Sequence, residues 1–261
     1  MPYKKEEFVE TLTGLRRSEN TIKCYTREVG FFFKRYDSVT LENIKDFVLY
    51  MSNKGNNPSS IRRCIYAIKT YCNIFSITIN FSLISLPRLV KREASYVTDS
   101  IFSDGIISII ESNTLEYDME SVVGLFDILY NTGLRVNELL SLDISSYNTE
   151  SGCLRVIGKG DKERFVPVGD LLDGNLLQNT DFFTFLNTVH YTTVLLWCKK
   201  FFGKTITPHS FRHGYTTRLV NSGVEPYAVQ KVLGHASYNT TLGYYHMSMD
   251  EVNMQVITAL S

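Results

Sequence analysis

Apolar residues recur every three or four positions through the first ninety residues, the period of helices that bury one face. Phe8, Leu12 and Leu15 suit a short first helix, and the run SENTIKCYTREVGFFFKRY opens on Ser18, a residue type that caps helices. Thr40 precedes LENIKDFVLYM, and the Gly-Asn-Asn-Pro turn at 55–58 leads into SSIRRCIYAIKTYCNIF, where Ser59 or Ser60 is placed to cap. Four or five helices in one bundle follow, spanning residues 1–90. Beyond Pro87 the stretch RLVKREASY reads as a basic, extended linker, assigned to residues 91–98. From residue 99 the helical period returns in ESVVGLFDILYNTG and VNELLSL, then gives way to the two β-rich runs of LRVIGKGDKERFVPV around Gly-Lys-Gly-Asp-Lys, a hairpin signal. The period is helical again in VHYTTVLLWCKKFF, in HSFRHGYTTRLVNSG closing on Gly223, in EPYAVQKVLGH with Pro226 early in the helix, and in NTTLGYYHM. The last run, EVNMQVITALS, sets Val252, Val256, Ile257 and Leu260 on one side. The fold class is therefore mainly α with a small β-hairpin or sheet, in two domains.

Composition changes this picture in one respect. The 261 residues are 44% hydrophobic, enough to bury ordinary cores and to exclude intrinsic disorder, and 27 Lys+Arg balance 27 Asp+Glu. That balance hides a split. Residues 1–95 hold 16 Lys/Arg against 9 Asp/Glu, a net of +7, and the rest hold 11 against 18, a net of −7. A basic module suggests a large anion, of which nucleic acid is the commonest. Arg16, Arg17, Lys23, Arg27, Lys54, Arg62, Arg63 and Lys69 are expected near helix starts and loops, from which phosphates can be reached. The five cysteines are odd in number and lack Cys-x-x-Cys spacing, which argues against a disulfide framework or structural zinc. Residues 74–87, the longest apolar stretch, are too short and too rich in Ser, Thr and Asn to span a bilayer. With no secretion signal read in MPYKKEEFVE, a cytoplasmic protein with no membrane partner is expected.

Several residues could do chemistry. His209 and Arg212 share a helix face at i,i+3, so an imidazole and a guanidinium can converge on one small anion. His213, four residues from His209, could share that face, and such a pair could also ligate a metal, although no carboxylate stands in the motif. Arg135, just after Gly133 at a helix start, would add a bidentate fork beside free backbone amides, with Glu138 one turn on to orient an arginine. Lys159 sits at the hairpin tip between two glycines, where an ammonium could act as a proton donor, and His235 follows Gly234 at a helix end, nine residues before Tyr244.

The ordered blocks GLRVNELLSL, VIGKGDKERFVPV, HSFRHGYTTRLVNSG and VQKVLGHASYNTTLGYYH resemble the tyrosine recombinase (phage integrase, Xer-like) family over the whole second domain. The first domain resembles that family's helical core-binding (SAM-like) domain. The resemblance implies an α+β catalytic domain over residues 99–261, with Arg135, Lys159, His209, Arg212, His235 and Tyr244 at the six catalytic positions. Tyr244 rather than Tyr245 fits the family's Thr-Thr-x-x-Tyr-x-His, and Tyr245 would point about 100° away around a helix. Tyr215 and Tyr227 are then core residues. The implied reaction is transesterification at phosphorus, with arginines clamping the phosphate, Lys159 as general acid, His209 assisting proton transfer and His235 bonding the phosphate, without metal or other cofactor. The implied partners are double-stranded DNA at core sites and further copies of the chain, in a tetramer coupled by a tail helix at 249–261.

A monomeric type IB topoisomerase-like enzyme and a non-catalytic DNA-binding protein on the same fold are the competing readings; a zinc hydrolase built on the histidines is a weaker one. The stretch between Val168 and His209 is short for the family, the second domain is acidic, and no room for an arm-binding domain is read before the first helix. A simple recombinase acting on inverted core sites is thus expected.

Overall fold

Side-chain caps set the starts of three of the four α-helices described in the first ninety residues. The computed structural model describes residues 2–89, 95–112, 116–158, 162–168, 172 and 174–234. It divides into two compact units, Met1–Arg92 and Glu93–Ser261. In the first, Ser18 accepts from the Thr21 amide at the start of helix α2 (Glu19–Phe33), and Thr40 from the Asn43 amide at the start of α3 (Leu41–Asn53). Helix α4 (Pro58–Ile74) is capped by Asn57, whose Oδ1 accepts from the Ser59 amide at 3.0 Å, and not by Ser59 or Ser60. Pro58 explains the difference: its fixed φ and missing N–H suit the first helical position, which puts the cap one residue earlier.

Helix α1 (Lys5–Gly14) buries Phe8 and Leu12, but Leu15 is 55% exposed. The helix ends before Leu15, and Arg16 takes a φ of 51°, so the chain turns away before the expected stripe is complete. The core is aromatic: Phe8 meets Tyr71 edge-on with ring centres 5.2 Å apart, and Phe32 meets Phe47 at 5.3 Å. A short 3₁₀ turn at Phe81–Leu83 follows α4.

The second unit opens with α5 (Asp99–Ile110) and α6 (Met119–Thr132), the latter the central helix, with Leu125, Phe126, Ile128 and Leu129 fully buried. A short helix, α7 (Val136–Leu139), leads to an antiparallel sheet of order β1 (Tyr147–Asn148), β2 (Cys153–Ile157), β3 (Glu163–Pro167). Val156 is opposite Arg164, Leu154 is opposite Val166, and the Gly158 amide closes the hairpin on the Lys162 carbonyl at 2.8 Å. Helix α8 (Thr180–Thr188) is capped by Asn179; α9 (Tyr191–Trp197) widens into a π-helical turn at Cys198–Phe202. Helices α10 (Pro208–Asn221) and α11 (Pro226–Leu233) follow, each with proline in its first turn. Strand β1 and helices α5 and α8 are absent from the sequence reading. A two-residue strand has no periodicity to detect, and Phe182, Phe183, Phe185 and Leu186 pack too densely along α8 to show a clean stripe. No described helix is long and apolar enough to cross a membrane.

Two glycines fix α10 in place. Gly133 ends α6 at a φ of 60°, against the Tyr215 ring, and a methyl group there would come within 2.5 Å of that ring. At Gly214 a methyl would lie 2.2 Å from the Val97 carbonyl oxygen, because the strand-like segment before α5 runs directly over α10, with the Val97 amide donating to Ser210 O at 3.2 Å. Gly214→Ala is expected to destabilise the second unit by about 2 kcal/mol or more. Gly14→Ala, with nothing within 4 Å of the added methyl, should stabilise the first unit by roughly 0.4–1 kcal/mol. Chemical denaturation read separately for the two units checks both; equal small effects would contradict the packing described.

Candidate active site

Two helix ends meet around Arg212. Helix α6 terminates at Gly133 and α11 at Gly234, both glycines in the left-handed region, so the last carbonyls of two helices are left for other donors. Arg212, on the second turn of α10 and 2% exposed, takes both: Nη1 donates to Gly133 O at 2.9 Å and Nη2 to Leu233 O at 2.7 Å. A guanidinium at two helix C-termini faces the negative ends of both dipoles, which favours its burial.

Arg135 is the N-cap of α7. Its amide donates to Glu138 Oε2 at 2.9 Å, its Nη1 to Glu138 Oε1 at 2.7 Å, and its Nη2 reaches Gly234 O at 3.4 Å. Its side chain is 42% exposed, so the guanidinium is held at one edge and open at the other. Glu138, one turn on as expected, is buried and serves a second arginine that sequence reasoning missed. Arg164 of β3 forks onto it, Nη1 to Oε1 at 3.0 Å and Nη2 to Oε2 at 2.7 Å, and Arg164 Nε donates to Val232 O at 2.9 Å. Burial pushes the Glu138 carboxyl pKa up, but the Arg164 fork, the Arg135 amide and the two positive charges outweigh it and hold it below the ordinary carboxylate range. The signal for Arg164 was present: in the alternation of β3 it shares the inward face with Val166, and a charge on an inward strand position needs a partner.

His209 lies at the start of α10, still open to solvent, with its ring 4.5 Å from that of His213 and nearly perpendicular to it. Desolvation, His213, Arg212 and Arg135 together lower its pKa from 6.5 to about 4, and desolvation followed by Arg212 lowers that of His213. The structure thus brings Arg135, Glu138, His209 and Arg212 together. Lys159, His235, Tyr244, Tyr245 and the segment 249–261 lie outside the described residues, although the neighbours Gly158, Lys162 and Gly234 lie within them. Tyr215 is buried, but Tyr227, expected in the core, is 61% exposed with Lys231 Nζ 5.3 Å from its ring. It sits on the second position of α11, whose buried side is carried by Val229 and Leu233. Among the described residues, no three His, Cys, Asp or Glu side chains gather as a metal site would require.

In the first unit the basic residues are dispersed over one bundle. Arg16 and Arg17 lie in the exposed turn after α1 and Lys54 ends α3, but Arg27 and Lys69 stand in mid-helix instead of near a start. Lys23 pairs with Glu19 at 2.6 Å, and Arg62 Nε donates to Pro87 O at 3.2 Å. Arg27 and Arg63 both bind the buried Glu28, which also accepts from the Cys64 thiol at 2.7 Å. An open groove of about 1050 Å³ beside α2 includes Lys23, Arg27 and Arg63 in its lining.

A pair of guanidiniums oriented by backbone carbonyls and a buried carboxylate, beside two neutral imidazoles, has the donors to hold a small anion. Comparison with known proteins gives the family. The model of the phage integrase family matches residues 104–179 and 173–251, more than half the chain. The tyrosine recombinase XerD of Staphylococcus aureus (strain Mu50 / ATCC 700699) is 27% identical over 285 residues, covering 94% of this chain and 93% of XerD. Among solved structures, the Tn1549 transposon integrase in complex with transposon right end DNA has the same fold, with a TM-score of 0.75 at 17% identity over 98% of this chain and 99% of that one. The XerH recombinase bound to difH substrate gives a TM-score of 0.68 at 19% identity, over 97% and 83% respectively. The chain belongs to the phage integrase family and is a tyrosine-type site-specific recombinase.

The lowered pKa of His209 makes the site testable without substrate. The imidazole is expected to stay neutral from pH 7 down to about 4. Since the unfolded chain takes up that proton near 6.5, the group adds nothing above pH 6.5 and destabilises the fold progressively as pH falls from 6.5 towards 4. NMR titration of the histidine ring resonances, with His209→Gln for assignment, checks this; a midpoint at or above 6.5 would contradict it.

Proposed function

We propose that this recombinase cuts and rejoins double-stranded DNA at specific core sites, through a covalent 3′-phosphotyrosyl intermediate and a Holliday junction. The observation that carries this reading is the fixed pair Arg135 and Arg212, both bonded to the end of α11, with Arg212 also on the end of α6 and Arg135 on Glu138. The DNA-bound states named for the Tn1549 integrase and XerH support duplex DNA as the substrate.

In this reading Tyr244 Oη attacks the scissile phosphorus. The Oη–P bond forms as the bond from phosphorus to the 5′-oxygen breaks, and Arg135 and Arg212 stabilise the charge that grows on the non-bridging oxygens. A phenol with an ordinary pKa of about 10 must lose its proton during the attack, and His209, neutral at pH 7, assists in taking it. Lys159 donates a proton to the leaving 5′-oxygen, and His235 hydrogen-bonds the phosphate. The tyrosyl ester conserves the phosphodiester energy, so a 5′-hydroxyl from a partner duplex can reverse the step without a cofactor. Arg16, Arg17, Lys23, Arg27, Arg62, Arg63 and Lys69 of the helical first domain contact backbone phosphates and position the duplex. Four copies assemble on two duplexes, coupled by residues 249–261.

The full chain, in buffer containing a chelator, is used to select duplexes from a randomised library, and the selected duplex is then offered with a nick beside each candidate cleavage position. The expected product is a protein–DNA adduct on Tyr244, lost in Tyr244→Phe and retained in Tyr245→Phe. Tight, specific binding with no adduct on any selected duplex would instead identify a binding protein that keeps the fold without the reaction. A chain ending at Met249 should bind a single selected duplex as the full chain does and lose cooperative assembly on two; unchanged cooperativity would remove the role given to 249–261.

A further inference from the structure

Arg164 has no part in the six-residue set, yet it ties strand β3 both to Glu138 and to the end of α11. Its guanidinium makes three hydrogen bonds, two to Glu138 and one to Val232 O, and the side chains of Arg164 and Glu138 are only 10% and 7% exposed. A planar fork with three of its five donors engaged leaves the side chain a single orientation. It also stands against the two backbone positions that lead into the undescribed parts of the site. A methyl group at Gly158 would lie 3.5 Å from Arg164 Nη1 and 3.8 Å from Glu138 Oε1. One at Gly234 would lie 3.1 Å from Arg164 Cδ and 3.3 Å from Nε. Gly158 precedes Lys159, Gly234 precedes His235, and Glu138 holds Arg135.

We infer that Arg164 is a positioning residue for proton transfer to the leaving group: it locks strand β3, and with it the Gly158–Lys162 pair that closes the hairpin, to Glu138 and to the end of α11. This rests on the reading of Lys159 as the general acid. The physical case is one of leverage. The hairpin is closed by the Gly158–Lys162 hydrogen bond, and β3 reaches the rest of the site through the inward-facing Arg164, directly opposite Val156 of β2. Without the fork the hairpin can rock about its strands, and a proton donor displaced by even an ångström loses much of its effect. A neutral side chain in place of Arg164 also leaves Glu138 with one arginine where it had two, which loosens Arg135 less directly.

The test separates the acid from the clamp by changing the leaving group. The selected duplex is synthesised with either the ordinary phosphodiester or a 5′-bridging phosphorothiolate at the mapped cleavage position; sulfur departs as a thiolate and needs no proton. Cleavage rates are measured for the unaltered chain, Lys159→Ala, Arg164→Gln and Arg164→Lys, with duplex affinity as a check on folding. The expected result is that Arg164→Gln slows cleavage of the oxygen substrate by about 10- to 100-fold, within the range of general-acid effects, and is restored on the sulfur substrate to within about threefold of the unaltered chain. Arg164→Lys, which keeps the charge and loses the fork, should fall between. Equal slowing on both substrates, no slowing on either, or loss of duplex binding by both variants overturns the inference. If Lys159→Ala is itself not restored by sulfur, the acid assignment fails first, and the control identifies that as the cause.

Discussion

Glu138 is the constraint on which the rest of the second unit's chemistry depends. Three guanidiniums, Arg135, Arg164 and Arg212, gather where α6, α7, α10, α11 and β3 meet, and like charges brought together repel unless compensated. A buried carboxylate offsets two of them and two helix C-termini the third, so the cluster keeps a net positive charge while each member has a fixed partner. The buried pair of Glu138 and Arg164 is not a large source of stability, since desolvation of both ions absorbs most of the attraction. Its value is directional: it leaves one orientation to Arg135, whose outer edge stays open.

The first unit repeats the device with a different outcome. Glu28 is buried and bonded by Arg27, Arg63 and the Cys64 thiol; burial raises its carboxyl pKa, but these bonds and charges hold it below its ordinary value. The same carboxylate, with burial, pushes the Cys64 thiol up to about 12. Here both arginine side chains are exposed, at 69% and 48%, whereas one of the two partners of Glu138, Arg164, is only 10% exposed. A carboxylate between two exposed arginines anchors outward-pointing cations; one that also holds a buried arginine ties separate elements of the fold together.

Much of this was legible in the residues because local rules and tertiary contacts agree. Ser18 and Thr40 start helices where their hydroxyls say they should, the alternation of LRVIGKGDKERFVPV does form a hairpin, and Glu138 does orient Arg135 from one turn away. The failures have physical causes. Leu15 fits the helical stripe but lies between the end of α1 and a backbone reversal at Arg16 that no periodicity encodes. Asn57 was passed over because two serines stood nearby, although Pro58 fixes the cap position by its φ alone. Arg164 was missed because its partner lies 26 residues away, and spacing rules for charges cover one helical turn or one strand pair.

The charge split between the units looks at first like an objection, since the second unit carries net negative charge and holds the anion site. Helix α6 resolves it. Its N-terminus carries Asp118 as the cap, accepting from the Ser121 amide at 2.8 Å, and Glu120 in the first turn, where negative charge suits the dipole. Its C-terminus carries the Gly133 carbonyl bound by Arg212, where positive charge suits it. The helix has 14 residues, so the two ends are about 21 Å apart. That exceeds two Debye lengths at physiological salt, each about 8 Å, so exposed acids at one end are largely screened from the clamp at the other. Asp127 stands closer, but it accepts from the Asn131 amide group at 2.8 Å, and burial raises its pKa, which weakens its hold on a negative charge. Net charge therefore says little about this site. In the proposed reaction, what an incoming phosphate meets is set by the few groups nearest it, and those include arginines whose partners the fold has already chosen.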